Sequence, residues 1–292
     1  MNPEQIIPKS SAPALPPELE QHIFSICALS RPTCIPSLML VASRVKDWIE
    51  LLLYRTIILT EETLPVVDGY PNLTLGHLLV LMRSKPAPFF RASVRHLFSA
   101  VGLEGTLIAV LTICTGVENL HLGAIPPGSS GLPLIAPSPL RHLYACLDSF
   151  FRAFPPPHRR FSDITHLQLM DEWTDATGVP LDAMVSRIRE GLSTLPRLTH
   201  LSFTGEDFLP GVLWKDPEQL RPHLKVLSKD FRFVTMRLVD YLNDWKLGVH
   251  TGNDYWNRVE IFISKRRAGQ INALQYCVPD NPLDVSGQVL MT

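Results

Sequence analysis

A four-residue pattern recurs along the chain and restricts its possible folds more than any other feature. Each copy has an apolar residue, two variable positions and a second apolar residue. Between several copies lie segments with apolar residues at helical spacing, namely 73–82, 104–114, 180–195 and 234–245. Because strand-like and helical segments alternate, we expect an α/β fold with parallel strands and right-handed crossovers. The second apolar positions follow one another at intervals of 23, 23, 24, 34 and 26 residues, at Leu97, Leu120, Leu143, Leu167, Leu201 and Leu227.

These intervals resemble those of leucine-rich repeats, which run at about 20–29 residues, except that the interval of 34 needs an insertion. The resemblance implies an irregular, leucine-rich-repeat-like solenoid of alternating strands and helices over residues 61–280. We expect irregularity because the asparagine that typical repeats place after the strand is replaced, at Gly102, Ile125, Asp148, Glu172 and Glu206. The predicted helix at 234–245 and a last strand, predicted from the alternation at 257–264, would close the arc. A plain α/β domain without curvature is the alternative.

Histidine directly precedes the leucine in four copies of the pattern, at His96, His142, His166 and His200. Side chains of a strand alternate between two faces, so these rings are expected to point away from the leucine core, on a concave surface. A row of histidines with no binding role, a metal site and a pH sensor are alternatives. We expect the surface to bind a protein substrate, through His96, Phe98, His121, His142, Tyr144, His166, Gln168 and His200.

Residues 15–60 carry a helical pattern instead of the repeat. Proline is tolerated in the first helical turn, so a helix can begin at the Leu-Pro-Pro-Glu-Leu sequence of 15–19, and its apolar spacing ends near Ser30. A second amphipathic helix is expected over 35–52, followed by a β-branched strand that ends near Leu59. We therefore expect residues 15–60 to form a short helical cap that leads into the first strand.

This cap resembles the F-box, a helical motif that docks on a Skp-type adaptor of cullin ubiquitin ligases. The resemblance rests on the sequences LPPELEQHIF and VASRVKDWIELLLYRTIIL. It implies a substrate receptor, with ubiquitin transfer carried out by another subunit. A generic helical cap, and a repeat scaffold that has lost adaptor binding, are the alternatives. The residues implied in adaptor docking or cap packing are Leu15, Pro16, Leu19, Ile23, Leu38, Val41 and Trp48.

Composition narrows the remaining function classes. The 27 basic and 28 acidic residues form no basic stripe, which argues against nucleic-acid binding. The chain lacks the GxSxG, P-loop, GxGxxG and HExxH motifs, so we expect neither an enzyme nor a cofactor; an enzyme site outside known motifs is the alternative. The five cysteines include no CxxC pair, and we find no signal peptide or membrane span. We expect a cytoplasmic or nuclear protein with tails at 1–14 and 281–292, and a solvated strand end or turn at 265–267.

Overall fold

The computed structural model describes residues 15–60, 72–100, 104–123, 139–146, 162–170, 181–193, 195–205, 226–237 and 240–279. The predicted tails at 1–14 and 281–292 lie outside these residues. So do all five positions at which the repeat asparagine is replaced. Among the described residues, no helix is both long and apolar enough to cross a membrane.

The N-terminal helices form a small unit with its own core. They are α1 (Pro17–Ser30), a 3-10 turn (Pro32–Cys34), α2 (Ile35–Leu38) and α3 (Ser43–Leu53). The single helix predicted over 35–52 is wrong, because Ala42 has extended backbone, with φ −161° and ψ 154°, and the helix begins again at Ser43. Burial of apolar side chains holds the unit together, through Ala28, Ile35, Val45 and Ile49.

Within the described residues, eight parallel strands form one sheet in the order β2-β1-β3-β4-β5-β6-β7-β8. The α/β fold with parallel strands is therefore confirmed, and so is the strand predicted directly after the N-terminal helices. The strands are β1 (Thr56–Leu59), β2 (Asn72–Leu73), β3 (His96–Ser99), β4 (Asn119–Leu122), β5 (His142–Cys146), β6 (His166–Met170), β7 (His200–Gly205) and β8 (Phe233–Arg237).

The register of the sheet follows the four-residue pattern. Leu97, Leu120, Leu143, Leu167 and Leu201 are paired from each strand to the next, so the first five copies are confirmed as strands in register. The sixth is wrong: Leu227 has helical backbone, and Phe233 pairs with Leu201 instead. The reason is that β8 must be buried on both faces, and the aromatic and β-branched run at 233–236 suits such a strand better.

Helices cover the face of the sheet that carries these leucines, which we call the leucine face. They are α4 (Leu75–Ser84), α5 (Ala87–Ser93), α6 (Glu104–Ile113) and α7 (Leu181–Ser193), close to the predicted helices at 73–82, 104–114 and 180–195. Leu78, Phe90, Val110 and Ile188 are buried in one core with the strand leucines. Each such side chain contributes about 1.5–3 kcal/mol when fully buried, so this core dominates the stability of the sheet.

The C-terminal part differs from its prediction. The helix predicted at 234–245 is wrong at 234–237, which belong to β8, and α8 spans Tyr241–Thr251. The strand predicted at 257–264 is wrong, because these residues lie in α9 (Tyr255–Arg267). The alternation of Val259, Ile261 and Ile263 suggested a strand, but Val259, Phe262 and Ile263 also have helical spacing, and in α9 these three are buried. The cluster at 265–267 forms the last turn of α9, where basic side chains suit the helix dipole.

Gly252 ends α8 in the left-handed region, with φ 71°. A Cβ at this position would meet no heavy atom within 4 Å, so Gly252→Ala adds backbone strain alone. We expect it to lower the free energy of unfolding by about 1 kcal/mol in urea titrations. The control is Gly76→Ala in α4, where a Cβ would lie 3.9 Å from Thr74 Oγ1. Alanine should stabilise that helix by about 0.5 kcal/mol, and equal effects at both glycines would contradict this reasoning.

Candidate functional site

Helix α1 has one face against the rest of the N-terminal unit and one face in solvent. Ala28 is buried and Phe24 packs beside it, whereas the opposite side presents apolar residues. We call this exposed row the α1 stripe; its side chains are between 44% and 52% exposed, and it consists of Leu15, Leu19, Ile23 and Ile26. Positions 19, 23 and 26 lie on one side of a helix because they are four and three residues apart. The row is thus continuous along α1.

A second exposed apolar segment lies between α2 and α3, where Leu40 and Val41 are 87% and 62% exposed. Arg44 pairs with Glu20 at 2.7 Å, which holds the start of α3, and with it this turn, near the first half of α1. The side-chain hydrogen bond from Arg44 lowers the pKa of Glu20. The turn and the α1 stripe are therefore held on the same small unit.

The residues that the F-box resemblance implies are divided by the structure into two groups. Leu15, Pro16, Leu19, Ile23 and Val41 are exposed and available to a partner. Leu38 and Trp48 are half-buried and pack against the core of the N-terminal unit, so their role is in cap packing. Sequence reasoning missed Leu40, the most exposed of these side chains, because it predicted one continuous helix over 35–52 and so did not find the break at which Leu40 lies.

The N-terminal unit is attached to the sheet through α3 and α5. Glu50 pairs with Lys85 at 2.8 Å, and the rings of Tyr54 and Phe89 meet edge to face at 5.3 Å. A cleft of about 220 Å³ lies where the N-terminal helices meet α8. Apolar side chains and two basic ones line it, among them Leu29, Ile35, Leu53, Val249, Arg55 and His250.

The predicted substrate residues lie together on the other face of the sheet, which we call the histidine face. In the register, His142 pairs with His166 and His166 with His200, and the ring centroids of each pair are 4.3 Å apart. Further along the strands, Phe98 stacks on His121 at 4.0 Å. The prediction that these histidines lie side by side on the face opposite the leucines is confirmed. The histidine face comprises His96, Phe98, His121, His142, Tyr144, His166, Gln168 and His200.

The histidine face is not open to a partner, because α8 and α9 cover it. Trp245 donates from Nε1 to Asn119 Oδ1 at 2.8 Å, and Trp256 donates from Nε1 to Tyr144 Oη at 3.0 Å. The prediction of an exposed substrate surface is therefore wrong. Three of its residues are half-buried, His96, His142 and His166, and the others are buried, namely Phe98, His121, Tyr144, Gln168 and His200.

Two side-chain contacts hold α9 over the histidine face. Glu260 Oε2 lies 2.5 Å from His200 Nε2, and the ring of Trp256 meets that of His166 edge to face at 4.9 Å. A Cβ at Gly248 would lie 2.3 Å from Asp254 Oδ2, so the lack of a side chain there lets the start of α9 lie against α8. We call this pair of helices the α8–α9 hairpin.

Burial sets the charge state of the covered groups. Desolvation lowers the pKa of His121 to about 3, of His142 to about 4 and of His166 to about 2, so these rings are neutral at pH 7. Desolvation, with the nearby Asp244 carboxylate, raises the pKa of Asp254 to about 7. Among the described residues, no group of three or more His, Cys, Asp or Glu side chains is arranged to hold a metal ion.

The chain matches no protein-family model, no curated protein and no solved structure.

Proposed function

We propose that the N-terminal helices are an F-box that docks on a Skp-type adaptor, and that the chain is a substrate receptor of a cullin ubiquitin ligase. The observation that carries this proposal is the α1 stripe together with Leu40 and Val41. These side chains are exposed on a unit whose own core is complete without them. The Leu-Pro-x-Glu-Leu start of the stripe supports the F-box assignment. Such a receptor would not be an enzyme, and would act in the cytoplasm or the nucleus.

The α1 stripe has the physical character of a docking surface. Exposed apolar patches on soluble proteins commonly mark interaction sites. Burying an aliphatic side chain contributes about 1.5–3 kcal/mol when it is fully exposed beforehand, and the stripe residues are about half exposed, so each can add roughly 1 kcal/mol to binding. A few such anchors at the centre of an interface account for most of the affinity of many complexes.

The sheet and its helices, as an irregular leucine-rich-repeat-like unit, would hold a protein substrate near the ligase. The substrate would bind outside the histidine face, since the α8–α9 hairpin occupies that face. The contribution of the receptor would be a raised local concentration of substrate at the conjugating enzyme. The ion pair of Glu50 with Lys85 and the contact of Tyr54 with Phe89 support this division of labour, because they attach the N-terminal unit to helices that pack on the sheet.

A binding measurement tests the proposal with full-length protein and a purified Skp-type adaptor. We expect wild type to bind and Leu19→Asp, Ile23→Asp to lose about 100-fold in affinity or more, because two carboxylates would enter an apolar interface. The matched control is Leu79→Asp, Val80→Asp on α4, at side chains that are also exposed, 37% and 63%. That variant should bind as wild type does.

Three outcomes would count against the proposal. Folded wild type that does not bind the adaptor would reject it, and the repeat scaffold without ligase function would then take its place. Equal loss of affinity in both double variants would show that the α1 stripe is not the interface. Unchanged affinity in Leu19→Asp, Ile23→Asp would do the same.

A further inference from the structure

The two faces of the sheet are both covered, yet they differ in chemistry. The leucine face of β3 to β7 is lined by leucine, alanine and phenylalanine in its central rows. The histidine face carries imidazole, amide and hydroxyl groups among its aromatic rings, including the buried Asn119, Gln168, Ser202 and Thr204. A permanent core gains little from such groups, because burying a polar side chain costs free energy unless hydrogen bonds replace water. The polar groups of the histidine face therefore make this contact less stable than an apolar contact of the same area would be.

Hydrogen bonding in this contact is incomplete. Gln168 donates from Nε2 to Thr204 Oγ1 at 2.7 Å, but its Oε1 is buried without a hydrogen-bond partner among the described residues. Both ring nitrogens of His96 are also buried without a hydrogen-bond partner among the described residues. Water could reach these atoms if the face were open, so each of them favours the uncovered state.

We propose that the α8–α9 hairpin is a releasable cover, which leaves the sheet when the histidines beneath it take up protons and so opens the histidine face. The release depends on a geometric arrangement: β5, β6 and β7 place three imidazoles in a row, and Trp256 packs edge to face against its middle ring. The rings of His166 and His200 are parallel, whereas those of His142 and His166 are tilted. A protonated ring in this row would have a second imidazole 4.3 Å away and would be partly shielded from water by Trp256. Either condition alone disfavours the charge.

The charged groups around the row determine how far each histidine contributes. Arg55, Arg95 and Arg141, near the beginning of the strands, disfavour protonation of His96 and His142. From α9, Glu260 favours the protonated form of His200, whereas Arg267 disfavours it. Asp244 and Asp254 lie where α8 meets the start of α9, and burial raises the pKa of both carboxyls, so both oppose release.

The sign of the pH effect follows from where the protons bind. His121, His142 and His166 are neutral in the covered state. After release water reaches them, so their pKa values rise toward the ordinary value of about 6.5. Below that pH the released state binds more protons on these histidines, which shifts the equilibrium toward release. The carboxyl of Asp254, whose pKa is about 7 when covered, loses its proton on release and opposes the shift. More histidines gain a proton than buried carboxyls lose one, so the net shift at about pH 5 is toward release.

Hydrogen–deuterium exchange of the full-length protein tests the proposal without any partner, so its result is independent of adaptor binding. Exchange is compared at about pH 7.5 and about pH 5, with labelling times corrected for the intrinsic pH dependence of amide exchange. We expect peptides from α8 and α9 to exchange more than about tenfold faster at the lower pH after correction. Peptides from β3 to β7 should stay protected, since their backbone hydrogen bonds lie within the sheet.

A double variant tests which histidines cause the release of the hairpin. His142→Gln, His166→Gln removes two of the three titrating rings, so its hairpin should remain protected at the lower pH. The matched control is His22→Gln, His77→Gln at exposed histidines, which should open as wild type does. A wild-type hairpin equally protected at both pH values would overturn the proposal, and so would strands that lose protection together with it. The wild-type comparison decides the matter even if the first variant does not fold.

Discussion

Arg266→Met is expected to lower the free energy of unfolding by about 3–4 kcal/mol. The guanidinium of Arg266 is buried, with the residue only 2% exposed. It donates to the carbonyl oxygens of Ser228 and Ala273, each at 2.7 Å, and of Phe233 at 2.8 Å. These bonds join the end of α9 to the segment before β8 and to the chain that follows α9. Methionine fills the space of the aliphatic stem but leaves the carbonyls without their donor.

Urea unfolding followed by circular dichroism measures this effect, with Arg267→Met as the matched control. Arg267 is the next residue of the same helix and is exposed, so its replacement should change the free energy by no more than about 0.5 kcal/mol. Arg266→Lys should lower the free energy of unfolding nearly as much as Arg266→Met does. One ammonium group cannot reach the carbonyl oxygens to which the planar guanidinium donates from two nitrogens. Equal effects of the two methionine variants would show that the buried contacts contribute little.

Trp256→Ala should destabilise the protein by about 4 kcal/mol. Trp256 is 4% exposed, and its ring packs against His166 and His200 at centroid distances of 4.9 and 5.9 Å. Alanine would leave a cavity between α9 and the histidine face and would leave Tyr144 Oη without its donor. The expected loss is large because both the packing and the hydrogen bond disappear.

Two further variants separate these contributions in the same urea titration. Trp256→Phe keeps an aromatic ring but not the N–H group, so it should cost only about 1–2 kcal/mol. Ile261→Ala, on the same helix, removes a side chain that is 55% exposed and should cost about 0.5 kcal/mol or less. If Trp256→Ala behaved like Ile261→Ala, the hairpin would contribute little to the stability of the sheet.

The sheet could be predicted from sequence because its pattern is local. A leucine in each of five strands, repeated at nearly constant spacing, is sufficient to align those strands, and the observed register pairs Leu97 through Leu201 in order. The C-terminal part could not be predicted in this way. The segment 257–264 satisfies both the strand and the helix period, and only packing of Val259 and Phe262 against the sheet selects the helix.

Prediction of the candidate sites from sequence has the same limit, because packing between distant segments decides which residues are exposed. Alternation along a strand correctly separates His166 from Leu167, since it assigns the two side chains to opposite faces. It does not say what lies on either face, and the histidine face is covered by residues about 90 positions later in the chain, such as Trp256 beside His166. The F-box resemblance indicated Leu15, Leu19 and Ile23 of the α1 stripe but not Ile26. The exposure of Leu40 depends on a helix break that the sequence did not reveal.

The order of the elements along the chain has a consequence for biosynthesis. Strands β3 to β7 are complete at Gly205, but α9 begins only at Tyr255, so a ribosome must add about fifty more residues before the cover exists. At about 5–20 residues per second, the nascent sheet presents its aromatic and imidazole side chains for several seconds. Translation that stopped before Tyr255 would leave those side chains exposed permanently, in a form suited to chaperones and to aggregation.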